Sequence, residues 1–201
     1  MNRCFLVFFI SLLSASLYSQ NILFKENESG FHIGGYFSSY QGTRIRSVNP
    51  AFTVSGRLSY GLYLEEISYD YSSTAALRPY ISLLIFKQRE NKSSFSLALN
   101  LSYQFNFDKN NSEPNLNTFV LGGGLYHKIK AGTNSEVIPG ISINWNKTSV
   151  EYQGFEASGE NITYNLSLTY KYKQAYITPS VTLFDQISVF NLNMGIIFPK
   201  K

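Results

Sequence analysis

Few side chains in this sequence could carry chemistry. The 201 residues hold two histidines, His32 and His127, and one cysteine, Cys4. Nucleophilic or acid–base catalysis needs a nucleophile, a base and an orienting group within hydrogen-bond reach. No Ser–His–acid order surrounds either histidine, and two histidines not spaced i, i+2 give no metal signal. Both are read as interfacial or interior side chains. The expectation is therefore no enzyme, with no catalytic, cofactor-binding or metal residue and no cofactor. What remains is ionic. With a hairpin centred on Leu62–Leu64, Arg57 faces Asp70 or Ser68 across the strand pair, and Glu66 lies near the turn. Such a pair can brace a filled interior or form a charged constriction in a pore. A narrow barrel is largely filled by its own side chains, which favours bracing.

The element that must position those charges is declared by Phe95–Phe107. Phe95, Leu97, Leu99, Leu101, Tyr103, Phe105 and Phe107 alternate with Ser94, Ser96, Ala98, Asn100, Ser102, Gln104 and Asn106. Period 2 over that length is a β-strand with two unlike faces. At ~3.4 Å per residue it reaches roughly 44 Å, enough to cross a bilayer's apolar core at a ~40° tilt. Its polar face carries hydroxyls and amides but no charge, whereas the water-facing side of a soluble sheet usually carries Lys and Glu. Its apolar face ends in aromatics, which favour the membrane interface. The reading is a barrel stave with Phe95, Leu97, Leu99, Leu101 and Tyr103 towards lipid. A second clean case, Ile162–Tyr172, places Leu166 and Leu168 likewise. Tyr60, Tyr103, Trp145, Tyr164 and Tyr172 are the candidate aromatic girdle. A soluble β-sandwich or lipocalin-like barrel would turn the same apolar faces inward. Strand length, the uncharged polar face and the lack of disulfides favour the membrane.

The start reads as a leader. Arg3 supplies the positive region, and Phe5–Leu13 is apolar but too short to span a bilayer. Small residues at Ser14-Ala15-Ser16 and Ser19 then place cleavage near Ser19 or Gln20. Residues 1–20 are thus a signal peptide and 21–201 one barrel domain. Cys4 leaves with the leader, so the exported chain has no disulfide. Mean hydropathy is -0.11, and no later run approaches about 18 apolar residues, which excludes helical spans. Net charge is +4. Without Arg3, 16 Lys+Arg stand against 13 Asp+Glu, or +3. That is too weak and too scattered for nucleic acid.

Ten strands are predicted, over 31–40, 52–60, 64–71 after a tight connection at 61–63, 80–87, 95–107, 117–127, 137–145, 162–172, 175–184 and 188–198. Eight is the alternative if the third and fourth are discounted. Loops are expected at 41–49, 72–79, 108–116 and 146–160. An even count returns the chain to the side where it began, as bacterial barrels require. With a periplasmic start, the three loops 41–49, 108–116 and 146–160 face outside.

The mature stretch, with its leader, Gly34-Gly35-Tyr36, the Lys87-Gln88 turn and the ending Asn193–Phe198, resembles the small outer-membrane β-barrel proteins of Gram-negative bacteria. The resemblance implies an all-β antiparallel transmembrane barrel in the bacterial outer membrane, with the lipid bilayer around it. It also implies the barrel-assembly machinery as a partner in biogenesis. The function expected is structural, or that of a passive small-solute pore. The alternatives are a surface or secretion-machinery partner acting through the external loops, or an outer-leaflet lipid-modifying enzyme.

Overall fold

The computed structural model describes residues 20–25, 27–68, 73–88, 94–107, 115–152, 155–185 and 187–200. After a 3-10 turn, η1 (Gln20–Leu23), come β1 (Ser29–Tyr40), β2 (Thr43–Val54), β3 (Leu58–Ser68), β4 (Ser73–Phe86), β5 (Ser96–Phe107) and β6 (Asn115–Tyr126). A two-residue piece, β7 (Ile129–Lys130), precedes β8 (Ser135–Tyr152), β9 (Phe155–Tyr172), β10 (Ala175–Phe184) and β11 (Ile187–Lys200). Each long strand is antiparallel to the next, β6 pairs with β8, and β1 pairs with β11. The sheet therefore closes as a ten-stranded barrel. The strand count read from the alternation is the one observed.

The faces follow the pleat. In β5, Leu99, Leu101, Tyr103 and Phe105 are exposed outside, while Ser96, Ala98, Asn100, Ser102 and Gln104 are buried inside. All ten long strands add exposed large apolar side chains, from Phe31 on β1 to Phe198 on β11. The buried set is dominated by Ser, Thr and Asn. A soluble protein arranges its residues the other way round. Among the described residues no helix is long and apolar enough to cross a membrane, which does not bear on strands. β1 begins and β11 finishes at one end, with Ser29 opposite Lys200. This is the near end, and the opposite one is the far end.

Several boundaries differ from the sequence reading. Residues 41–49 are not a loop. Gln41 and Gly42, at φ 44° and 85°, make a two-residue turn, and β2 follows at once. The strand expected over 52–60 is two strands, broken at Ser55 and Gly56, at φ 51° and 59°. Phe52 faces Tyr60 across that hairpin. Val54 and Leu58 are four residues apart, so the outward alternation passes through the turn unbroken and imitates one strand. Gly61, expected in a turn, lies within β3, where a Cβ would fall 2.6 Å from Ala51 Cβ. Farther along β3 the faces are exchanged: Ile67 is inside, Glu66 outside. Residues 73–79, expected as loop, belong to β4. Residues 115 and 116 belong to β6, and the rest of the expected 108–116 loop lies outside the described residues. Residues 146–160 are mostly strand, since β8 and β9 run 18 residues each and pair as far as Tyr152↔Phe155. No Gly or Pro interrupts 146–152. Only the outward residues change, from Ile141, Ile143 and Trp145 to Lys147, Ser149 and Glu151.

Candidate functional site

Inward side chains fill the barrel in layers. At the near end Ile22, Leu23 and Phe24 enter the mouth and pack on Leu84, Ala98, Tyr126, Ile138, Tyr176 and Ile197. All three are at most 1 % exposed. Carbonyls on this segment have partners, as buried backbone requires. Lys171 Nζ donates to the Leu23 carbonyl at 2.6 Å and Lys87 Nζ to that of Phe24 at 2.8 Å. Glu136 lies 3.4 Å from Lys171 and 3.3 Å from Lys128. Desolvation pulls the Lys128 ammonium below the usual lysine range, against the pull of Glu136 and helped by Lys171.

Deeper in, Arg78 Nη2 donates to Glu65 Oε1 at 2.6 Å, with both side chains at most 1 % exposed. The guanidinium sits 4.3 Å from the Tyr63 ring centre, and Tyr80 tilts against Tyr63 at 5.2 Å. An interior ion pair therefore exists, between partners other than those expected. Arg57 lies exposed in the 55–57 turn, and Glu66 faces outward opposite Arg46. Asp70 lies outside the described residues. The three-residue 55–57 connection keeps even positions outward from β2 into β3, which puts Glu65 inside. Taking apolar Ile67 as an outward residue is what places Glu66 inside instead. On β4, Arg78 pairs with Tyr63, one inward step from Glu65. Towards the far end Tyr36, Ile45, Ile67, Ala76, Leu116 and Val189 form another apolar layer.

The other wall is stitched by neutral polar groups. Asn146 Nδ2 donates to Asn161 Oδ1 at 2.8 Å, and Asn165 and Asn191 donate to Thr182 Oγ1 at 3.0 and 2.9 Å. Thr169 and Thr178 share a hydrogen bond of 2.9 Å.

His32 is fully buried and hydrogen-bonded through Nε2 to the Tyr176 hydroxyl, which donates to Asn193 Oδ1 at 3.3 Å. The two rings stack with centres 5.4 Å apart. Gly34 and Gly195 face each other across the β1–β11 pair, and a Cβ on either would fall 2.7 Å from the Tyr176 hydroxyl. Glycine is what leaves room for that tyrosine. His127 follows β6 at the near end, with Nδ1 hydrogen-bonded to the Ser94 carbonyl. Among the described residues no three His, Cys, Asp or Glu side chains gather as a metal-ligand group.

On the outer surface Phe95, Leu99, Leu101, Tyr103, Leu166 and Leu168 are exposed, and Leu97 is half-buried. Tyr60 and Tyr172 lie outward near the near end, while Tyr103, Trp145 and Tyr164 lie towards the far side. Trp145 meets Phe119 edge-on at 5.9 Å, and its Nε1 donates to Glu160 Oε2 at 3.3 Å.

The far rim is uneven. β6 accompanies β8 up to Asn115↔Glu151, but β10 accompanies β9 only to Leu183↔Tyr164. Residues 155–163 of β9 thus have β8 on one side and, among the described residues, no strand on the other. The outward face of this raised wall is polar. Lys147 lies 3.6 Å from Glu160, and Glu151 stands directly opposite Glu156. A shallow recess of about 400 Å³ opens beside Asn117, Ser149, Glu151 and Glu156.

No family model and no curated protein matches the chain. Among solved structures the barrel is similar to Ail, the attachment invasion locus protein of Yersinia pestis. Identity is 12%, the TM-score is 0.41, and the match covers 88% of this chain and 100% of that one. It is also similar to Ail in complex with the heparin analogue sucrose octasulfate, at 10% identity and a TM-score of 0.32, covering 88% and 100%.

Proposed function

We propose that this chain is a bacterial outer-membrane barrel with a closed interior, acting at the cell surface through its raised far wall, with neither catalysis nor solute conduction. The observation that carries the reading is the inversion of the two faces, apolar outside and polar within. Water would not tolerate an outer band of that extent, whereas acyl chains favour it. Phe95, Leu97, Leu99, Leu101, Tyr103, Leu166 and Leu168 then meet lipid, and the girdle residues flank the band. The near end is periplasmic, residues 1–20 are removed on export, and the barrel-assembly machinery inserts the rest. Closure is supported by the apolar layers at both ends and by inward side chains, Arg78, Gln104, Asn144 and Thr163 among them, that solvent does not reach.

Planar-bilayer recording of the refolded chain tests closure. No channel events are expected, and stepwise current would overturn it. Orientation is tested on intact cells with a membrane-impermeant maleimide. Ser158→Cys should label and Lys173→Cys, in the β9–β10 turn, should not; the reverse pattern overturns the topology. Recovery of the processed chain as a monomer without detergent would defeat the membrane reading altogether.

A further inference from the structure

We infer that the free edge of β9, residues 155–163, receives an extended segment of a partner protein as an added strand, with Lys or Arg at every second position. The inference rests on the surface-acting reading above and names the mode and chemistry of the contact. Its first support is the register. Pairing with β10 ceases at Tyr164 while β9 continues to Phe155 with β8 on its other flank. Backbone N–H and C=O groups on the open flank are a template for one more strand. Proteins that must keep such an edge unpaired protect it with charged side chains, Lys above all, with Pro or with a bulge. This one, Phe-Glu-Ala-Ser-Gly-Glu-Asn-Ile-Thr, has neither Lys nor Pro, and its pairing to β8 is continuous with no register shift. Its only charges are Glu156 and Glu160, which a cationic strand would neutralise.

Charge specifies the occupant. Outward residues of the raised wall include Glu151, Glu156 and Glu160 against one cation, Lys147. A strand laid beside β9 would set its own outward side chains next to Glu156, Ser158 and Glu160, where cross-strand opposites attract and like charges repel. The direct opposition of Glu151 and Glu156 is unfavourable in the free protein, and an added cation relieves it. Inward residues of the added strand would meet Ala157 and Gly159, which are small enough to admit it. A second copy fits worse. Antiparallel self-pairing centred on Gly159 brings Glu160 diagonal to its own counterpart. Phosphate-bearing glycolipid is repelled by the same carboxylates.

The test uses the full-length barrel in detergent micelles and a fluorescent decapeptide of alternating Lys and Thr, read by anisotropy. Binding is expected. It should weaken about tenfold in an alternating Glu–Thr peptide, in a Lys–Thr peptide N-methylated at every second residue, and in the Glu156→Gln/Glu160→Gln barrel, each loss being on the order of 1.4 kcal/mol. No binding, or equal binding of the methylated peptide, overturns the strand-addition mode. Equal binding of the acidic peptide overturns the charge assignment. Preferential binding of lipopolysaccharide micelles over the Lys–Thr peptide overturns the choice of a protein partner. If Ser158→Cys labels on intact cells while the peptide series is flat, the edge inference falls and the surface reading stands. If Ser158→Cys does not label and the peptide series is flat, both fall.

Discussion

The two ends of the barrel are made from the same pleated strands and finish in opposite ways. At the near end the chain folds back into its own mouth, and three apolar side chains stopper it beneath two lysine–carbonyl bonds. At the far end β8 and β9 climb past their neighbours and turn carboxylates outward. One end satisfies its backbone and closes, while the other leaves, among the described residues, a flank with no neighbouring strand. The contrast teaches where contact with other molecules belongs. A sealed mouth has nothing to offer, and a wall with a spare edge does.

The comparison can be broken at its middle first. Arg78→Ala strands Glu65 in the interior and should cost about 3–5 kcal/mol, whereas Glu65→Leu with Arg78→Met should come back close to wild type. Urea unfolding in lipid vesicles, followed by Trp145 fluorescence, measures both. Next comes the outer band against the raised wall. Leu166→Arg should cost roughly 2–4 kcal/mol if that band lies in lipid, while Ser149→Arg should change stability by less than about 0.5 kcal/mol. Equal effects at the two sites would erase the boundary between band and wall. At the near end Lys171→Met removes a charged donor from the Leu23 carbonyl, a loss of roughly 1.5–3 kcal/mol felt locally. Protease should then clip residues 21–28 faster, with the barrel's own unfolding midpoint little changed. The smallest effect is expected on the far wall. Glu160→Gln breaks an exposed pair with Lys147 and should shift stability by less than about 1 kcal/mol, leaving the fold intact for binding measurements.

How far the sequence could be read depended on whether its alternation met a competing rule. In β5, β9 and β11 the pleat carried the faces without error, since apolar residues recur at every second place and nothing interrupts them. The β2–β3 hairpin concealed itself, because a three-residue connection preserves parity and Phe52, Val54, Leu58 and Tyr60 line up as though continuous. The ionic partners escaped for other reasons: apolar Ile67 faces inward, so reading it as outer puts Glu66 rather than Glu65 inside, and Arg78 falls within the expected 72–79 loop. The tops of β8 and β9 looked like loop because apolar-outward was the search pattern, and above the band the outward residues are Lys147, Ser149, Glu156 and Glu160. The Ile22–Phe24 stopper was legible only as a short apolar run in a polar lead-in. Whether such a run enters a barrel is a tertiary fact. His32 was read as interior or interfacial, but its tyrosine partner lies 144 residues away, and no local pattern announces that.

The join between β1 and β11 matches Ser29 with Lys200 and continues to Ser39 with Phe190. The cylinder therefore cannot be completed until β11 has been delivered. Until then the leading strand waits with a raw flank, and its mate is still in transit. Pairings of such long sequence separation are slow to form and prone to capture by strangers. An escort that shields the waiting strand would shorten that exposure, and a chain cut short before Ile187 would leave it permanently unmatched.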